Sequence, residues 1–223
     1  GGAVTQSAAL TVGGATLVTA TGNPVTLSDA GNDFASIGVT GSNVTLRDAN
    51  GLVLAASTVL GNLSVTTGGK LTQSAALSLP GLAAFDTGTS DLQLDNASNS
   101  FAGNVSVAAA GNVALASSGD LRLGTINAAQ SVRAVSGANL VLNGVVTAQG
   151  AGTAIAVSAA QRFINNAGAA ALAAPSGRWL AYSADPSLNT YGGLASGNVA
   201  YWNATYTGLP PSSVSQAGNR YLF

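Results

Sequence analysis

Apolar residues along most of this chain come as pairs at i and i+2: Val44/Leu46, Leu52/Leu54, Leu63/Val65, Leu77/Leu79, Val105/Val107, Val113/Leu115, Leu121/Leu123 and Leu140/Leu142. A period of two is what a strand with one buried face requires. Between the pairs lie short runs of Gly, Asn, Asp and Ser, such as Thr40-Gly-Ser-Asn43, Arg47-Asp-Ala-Asn-Gly51, Ala110-Gly-Asn112 and Ser117-Ser-Gly-Asp120, residues that accept tight turns and positive φ. The pattern predicts very short strands. No long segment carries apolar residues at i, i+3, i+4 and i+7 with few glycines, so a helical reading fails.

The chain also repeats itself. The run Val4-Thr-Gln-Ser-Ala-Ala-Leu10 returns as Leu71-Thr-Gln-Ser-Ala-Ala-Leu77, 67 positions on. Val25 and Leu27 match Leu92 and Leu94, and Phe34 matches Phe101; Val44, Leu46, Leu52 and Leu54 then match Val113, Leu115, Leu121 and Leu123 with the offset drifted to 69. Short insertions in loops between fixed apolar pairs are how a stacked-repeat protein accommodates change. Three strand-and-turn faces make a coil of roughly 20 to 24 residues, so the 67-residue unit corresponds to about three coils. A β-sandwich of hairpins explains the alternation but not this longer period. The expected fold is therefore all-β, a right-handed parallel β-helix. Residues 1–168 would hold seven or eight coils, and residues of the 67-residue repeats would occupy equivalent places in the ladder.

Composition narrows the chemistry. The chain of 223 residues has seven basic and eight acidic side chains, a net charge of −1, 47% hydrophobic residues, 29 glycines, and no His, Cys, Met or Glu. Thiol and imidazole catalysis, disulfides and the usual zinc ligands are excluded, and carboxylate chemistry falls to Asp alone. The cations are scattered, so no basic patch for nucleic acid is expected. No apolar run approaches the ~18 residues of a membrane span. Residues 1–6 lack the features of a signal peptide, which suggests a processed or interior segment.

From Ser176 the material changes. Both tryptophans, Trp179 and Trp202, and all five tyrosines, Tyr182, Tyr191, Tyr201, Tyr206 and Tyr221, fall after it. A solenoid end exposes unpaired strand edges and an open apolar core unless something covers it. Residues 169–223 are expected to form an aromatic-rich C-terminal cap rather than another coil, with residues 169–174 as a short helical or irregular connector.

The Leu/Val-x-Leu/Val strands with Gly-Asn and Gly-Asp turns resemble the passenger rods of filamentous-haemagglutinin-type adhesins. The stretches Gly177-Arg-Trp-Leu-Ala-Tyr-Ser-Ala-Asp-Pro186, Asn189-Thr-Tyr-Gly-Gly-Leu194 and Gly218-Asn-Arg-Tyr-Leu-Phe223 look like the segment that closes the repeat region of such proteins. The resemblance implies a secreted or cell-surface protein of a Gram-negative bacterium, exported by two-partner secretion through an outer-membrane transporter. Its work would be attachment, or biofilm or filament assembly with self-association, without catalysis, cofactor or metal. A host or biofilm glycan or surface receptor is the partner it implies.

Candidate sites compete with plainer roles. Asp29, Asn32 and Asp33, with Asp95, Asn96 and Asn99 in the repeat, offer oxygen ligands for Ca²⁺, but Asx turns and stacked Asn ladders require the same residues. Asp86, Asp91 and Asp95, with Lys70 one coil below, form the best acidic cluster for a polysaccharide-degrading β-helix; turn roles are favoured there too. Trp179, Tyr182, Tyr191, Tyr201, Trp202 and Tyr206 suit glycan stacking in a carbohydrate-binding module, or burial over the last coil. Arg178 and Arg220 are candidate partners of Asp185. Thr5, Thr26, Thr45, Thr66 and Thr72 do not form the regular Thr array of an ice-binding face.

Overall fold

The computed structural model describes residues 1–223 and shows a parallel β-solenoid of about ten turns with almost no helix. Every strand pairing is parallel, within one sheet of 11 strands and one of 14. Each turn places one strand on each of three faces. Face 1 is built by Val25–Leu27, Val44–Asp48, Leu63–Thr67, Ala83–Asp86 and their successors. On face 2 stand Leu52–Leu54, Leu71–Gln73, Leu92–Leu94, Val113–Ser117, Val132–Ser136 and Gly152–Ala159. Thr58–Val59, Ser78–Leu79 and Ser100–Phe101 make face 3.

The inward positions stack into columns. On face 1, Val25, Val44, Leu63, Ala83, Val105, Leu123 and Leu142 stand one above another, and on face 2 Leu52, Leu71, Leu92, Val113, Val132, Ile155 and Trp179 do the same. They are buried within a single apolar core of 47 residues that runs the length of the rod. At ~4.8 Å per turn the rod is on the order of 45 Å long. Glycine marks the corner after face 3. A Cβ on Gly81 would lie 2.4 Å from the carbonyl oxygen of Gly61, and one on Gly103 only 2.1 Å from that of Gly81. Beside this column, Asn43 Oδ1 accepts from the Asn62 backbone N–H and Asn62 Oδ1 from that of Leu82.

The cross-section changes halfway along. Phe101 stacks on Leu79 and ends face 3, because no strand pairs with it from above. From there the third strand of each turn lies between face 1 and face 2 instead, forming a face 4 that runs from Ala110 through Ala128 and Ala148. The tight corner accordingly moves. Below the change it joins face 1 to face 2, as at Asp48 to Leu52; above it joins face 2 to face 1, as at Ser117 to Leu121. The chemistry of the corner is kept, with a buried hydroxyl donating to a carbonyl three residues on: Thr87 to Ser90, Ser117 to Asp120 and Ser136 to Asn139.

The expectation that residues one repeat apart occupy equivalent places is therefore corrected. Val44 lies on face 1 and Val113 on face 2. Three turns separate Val4 from Leu63, and Leu71 lies one face beyond, so the 67-residue repeat advances three turns plus one face. What recurs is a polar clasp. Asn32 Oδ1 accepts from Gln6 Nε2 at 2.7 Å and from the Leu10 N–H at 2.9 Å; Asn99 Oδ1 accepts from Gln73 Nε2 at 2.7 Å and the Leu77 N–H at 2.8 Å. Both asparagines are fully buried.

The boundary at residue 168 also shifts. Leu172–Ala173 pairs with Val146–Ala148, and Gly177–Tyr182 pairs along its length with Gly152–Ala159. Residues 169–182 thus form a further turn of the solenoid rather than a connector and cap, and the cap proper follows Tyr182.

Candidate functional site

The cap is built on Gly177–Tyr182, whose side chains alternate like those of any strand. Trp179 and Ala181 point into the bore, and Leu180 and Tyr182 point outward into a second, smaller apolar cluster. Arg220–Leu222 adds the last full rung, with Tyr221 inward and Leu222 outward, and the two-residue strand Ala200–Tyr201 ends the sheet. Tyr221 closes the bore. Its ring meets Trp179 at 5.1 Å, Tyr191 at 4.8 Å and Phe163 at 6.0 Å, all edge to face, and its hydroxyl donates to the Leu194 carbonyl at 2.8 Å. Burial pushes the Tyr221 phenol well above its ordinary range, and the neighbouring Tyr191 adds to that.

Outside the bore, the segment from Tyr201 to Val214 folds over the outer side of face 2. Ala204 and Val214 cover Leu180 and Tyr182, with Tyr206 and Leu209 beside them. Tyr182 donates to the Leu209 carbonyl at 3.0 Å and meets Tyr206 edge to face at 5.2 Å. Its phenol is pushed up to about 12, by burial first and then by Tyr206, against the opposing charge of Arg178. Arg133, two turns below Gly177–Tyr182, holds the segment from below: it donates to the Tyr206 hydroxyl at 2.7 Å, lies over that ring and pairs with Asp95 at 3.3 Å. Arg178 donates to the carbonyls of Val214 and Gln216, and Arg220 to that of Ala217 while lying over the Tyr201 ring. Neither arginine pairs with Asp185, which instead caps the turn Pro186–Leu188 through the N–H and hydroxyl of Ser187; those bonds lower its pKa.

Where the folded-over segment meets face 2 it leaves a cleft of about 510 Å³. Three successive turns form its floor, at Val135–Ser136, Ser158–Ala160 and Tyr182–Ala184, and Ala204 to Thr207 and Phe223 form the other wall. Trp202 leans on Phe223 at 5.3 Å and is 67% exposed.

Against this geometry the proposed stacking residues divide. Trp179 and Tyr182 are each 2% exposed, their rings covered, and they are no platform for a ligand lying on the surface. Tyr191, Tyr201 and Tyr206 are half-buried, leaving Trp202 as the open aromatic face. Phe223 and Ser158 escaped the sequence reading. Ser158 stands out of phase with Ile155, Val157 and Ala159, which marks it as outward, but nothing in the sequence says that the cap covers it.

The other candidates are absorbed by the fold. Asn32 and Asn99 spend their amides on the clasps, Asp29 Oδ1 accepts from the Gly31 N–H, and no three acids converge. Lys70 does lie one turn below the acidic cluster but donates to Gln93 at 2.8 Å. Asp86 caps Gly88, Asp95 pairs with Arg133, and Asp91 accepts from the N–H and the amide of Asn112. Those two bonds, and behind them the charge of Lys70, hold the Asp91 carboxyl below its ordinary range. Thr5, Thr26 and Thr45 stand in one row on face 1 that continues into Ser64 before Ala84 interrupts it, while Thr66 and Thr72 lie on other rows, so the five form no regular Thr-x-Thr array.

The molecule is thus a capped, repeat-built β-solenoid, a rod-like structural element. A family model described as repeats of unknown function (DUF5649) matches residues 1–40 and 41–108. The second match ends within Asn104–Ala110, the strand in which the cross-section changes. No curated protein and no solved structure matches the chain.

Proposed function

We propose that the chain is a structural and adhesive segment of a large secreted surface adhesin of the filamentous-haemagglutinin type. The unbroken parallel ladder of about ten turns carries the reading, since it turns a short sequence unit into length and stiffness. In this reading a Gram-negative cell exports the parent protein through an outer-membrane transporter, and the rod extends it from the surface for attachment or biofilm assembly. The segment performs no catalysis. Residues 39–43, 58–62, 78–82 and 100–104, face 3 with its following corner, contain no charged side chain, and Leu60 and Leu82 stand exposed there. That surface suits lateral association of rods. No helix is long and apolar enough to cross a membrane.

The test is genetic and topological. In the source cell, antibody raised against the rod should label intact cells, and deletion of the gene should reduce attachment to surfaces several-fold. Exclusive cytoplasmic labelling with unchanged attachment would overturn the reading. Cleavage of a polysaccharide by the purified chain, abolished by Asp91→Ala, would replace it with an enzymatic one.

A further inference from the structure

We propose that the cleft beside the cap is a binding site for a neutral oligosaccharide. The leading observation is Ser158. It points outward from Gly152–Ala159 yet is only 7% exposed, because the cap segment covers it, and it lines the cleft. The corner hydroxyls of Thr87, Ser117 and Ser136 each donate to a backbone carbonyl. The Ser158 hydroxyl has no such partner. A hydroxyl that lines a cleft and makes no bond within the protein is free to donate to and accept from a ligand there.

The rest of the lining selects the ligand's chemistry. No charged side chain lines the cleft, and Arg133, which bonds the lining residue Tyr206, is also paired with Asp95. An ionic ligand would be desolvated there without a counter-charge. The walls combine the rings of Tyr206 and Phe223 with hydroxyls of Ser158, Ser183 and Thr205. Apolar faces edged by hydroxyls are complementary to a pyranose ring, whose C–H faces are apolar and whose rim is hydroxylated. The volume falls within the roughly 300–1,000 Å³ of small-molecule sites. Trp202, braced against Phe223 outside the cleft, offers a second ring-sized surface, which favours an oligosaccharide over a single sugar.

This inference does not rest on the adhesin reading, since a rod that attaches no cell can still hold a sugar. Cellohexaose, mannohexaose and the hexamer of N-acetylglucosamine are titrated into the purified chain, with binding read by tryptophan fluorescence and calorimetry; hexagalacturonate is the charged control. At least one neutral hexamer should bind with a Kd of about 1 mM or tighter and shift the emission of the exposed indole. Ala184→Phe, which fills the cleft from an exposed position, should weaken that binding at least tenfold, and Ser158→Ala several-fold, with the circular dichroism of the solenoid unchanged. Should Ala184→Phe misfold, Ala160→Phe fills the same cleft from the adjoining turn. The proposal is overturned if no neutral hexamer binds at about 10 mM, if filling the cleft leaves binding unchanged, or if hexagalacturonate binds better.

Discussion

Replacing Asn99 by alanine tests the physical core of the repeat. Four hydrogen bonds converge on this fully buried amide: Nδ2 donates to the Leu94 carbonyl at 3.0 Å and to Gln73 Oε1 at 2.9 Å, while Oδ1 accepts from the Leu77 N–H at 2.8 Å and from Gln73 Nε2 at 2.7 Å. Gln73 is half-buried and can turn to water, so its share of the loss is small. The Leu77 N–H and Leu94 C=O have no such recourse, and each unpaired buried group costs about 1–3 kcal/mol. A total of about 3 kcal/mol follows. With a urea m-value of about 2–3 kcal/mol/M, the midpoint should fall by about 1–1.5 M. Because turns of a solenoid contact only their neighbours, hydrogen exchange should accelerate around residues 77–99 and little elsewhere. Asn32→Ala removes the corresponding clasp, and the two losses should add. A midpoint shift below about 0.3 M for Asn99→Ala, or uniform acceleration of exchange, would refute the argument.

Stacked corners predict that Gly103→Ala costs about 1–3 kcal/mol, because its Cβ would press on the Gly81 carbonyl, whereas Gly119→Ala, with nothing within 4 Å, changes thermal stability negligibly. In the cap, Trp179→Ala should cost about 3–5 kcal/mol in denaturant unfolding and Trp202→Ala less than about 0.5 kcal/mol. Alkali should loosen the same region. Tyr182 has its folded pKa raised from 10 to about 12, so below pH 10 both states are protonated and its contribution is intact; between pH 10 and 12 the unfolded chain ionises first and stability falls. Tyr182→Phe should remove part of that fall, followed by the emission of Trp179, while Tyr221, also raised, sustains the remainder.

The fold was legible because its signals are local. Alternation at Val44/Leu46 or Leu121/Leu123 identifies a strand whichever face it occupies, and the intervening Gly, Asn and Asp identify a corner. The face itself was not legible. A strand, a tight corner closed by a buried hydroxyl or carboxylate, and a second strand read alike at residues 44–54 and 113–123, although the first joins face 1 to face 2 and the second joins face 2 to face 1. Only the interstrand register separates them, and register belongs to the stack rather than to the segment. The Thr5, Thr26 and Thr45 row was not legible for the same reason: its members are neighbours in the ladder, about 20 residues apart in the chain.

Reading Gly177–Tyr182 as something other than a coil followed from a sound premise applied one rung too far. Inside the rod a ring-sized side chain must share the bore with the turns above and below, so Val, Leu and Ala dominate the columns. The last turns are relieved of that constraint on one side. Ile155 therefore stacks beneath Trp179, and Ala181 beneath Tyr221, with the space above the small residue filled by the larger ring. Strand alternation then sends Tyr182 outward, where it forms an apolar patch that the solenoid leaves open to water. The segment from Tyr201 to Val214 covers that patch, and in doing so it roofs Ser158. The cleft is thus a geometric consequence of closing a narrow β-solenoid with aromatic residues: Trp179, the ring packed inside the bore against the closing Tyr221, and Tyr182, the ring that must be covered outside it, are three residues apart on one strand.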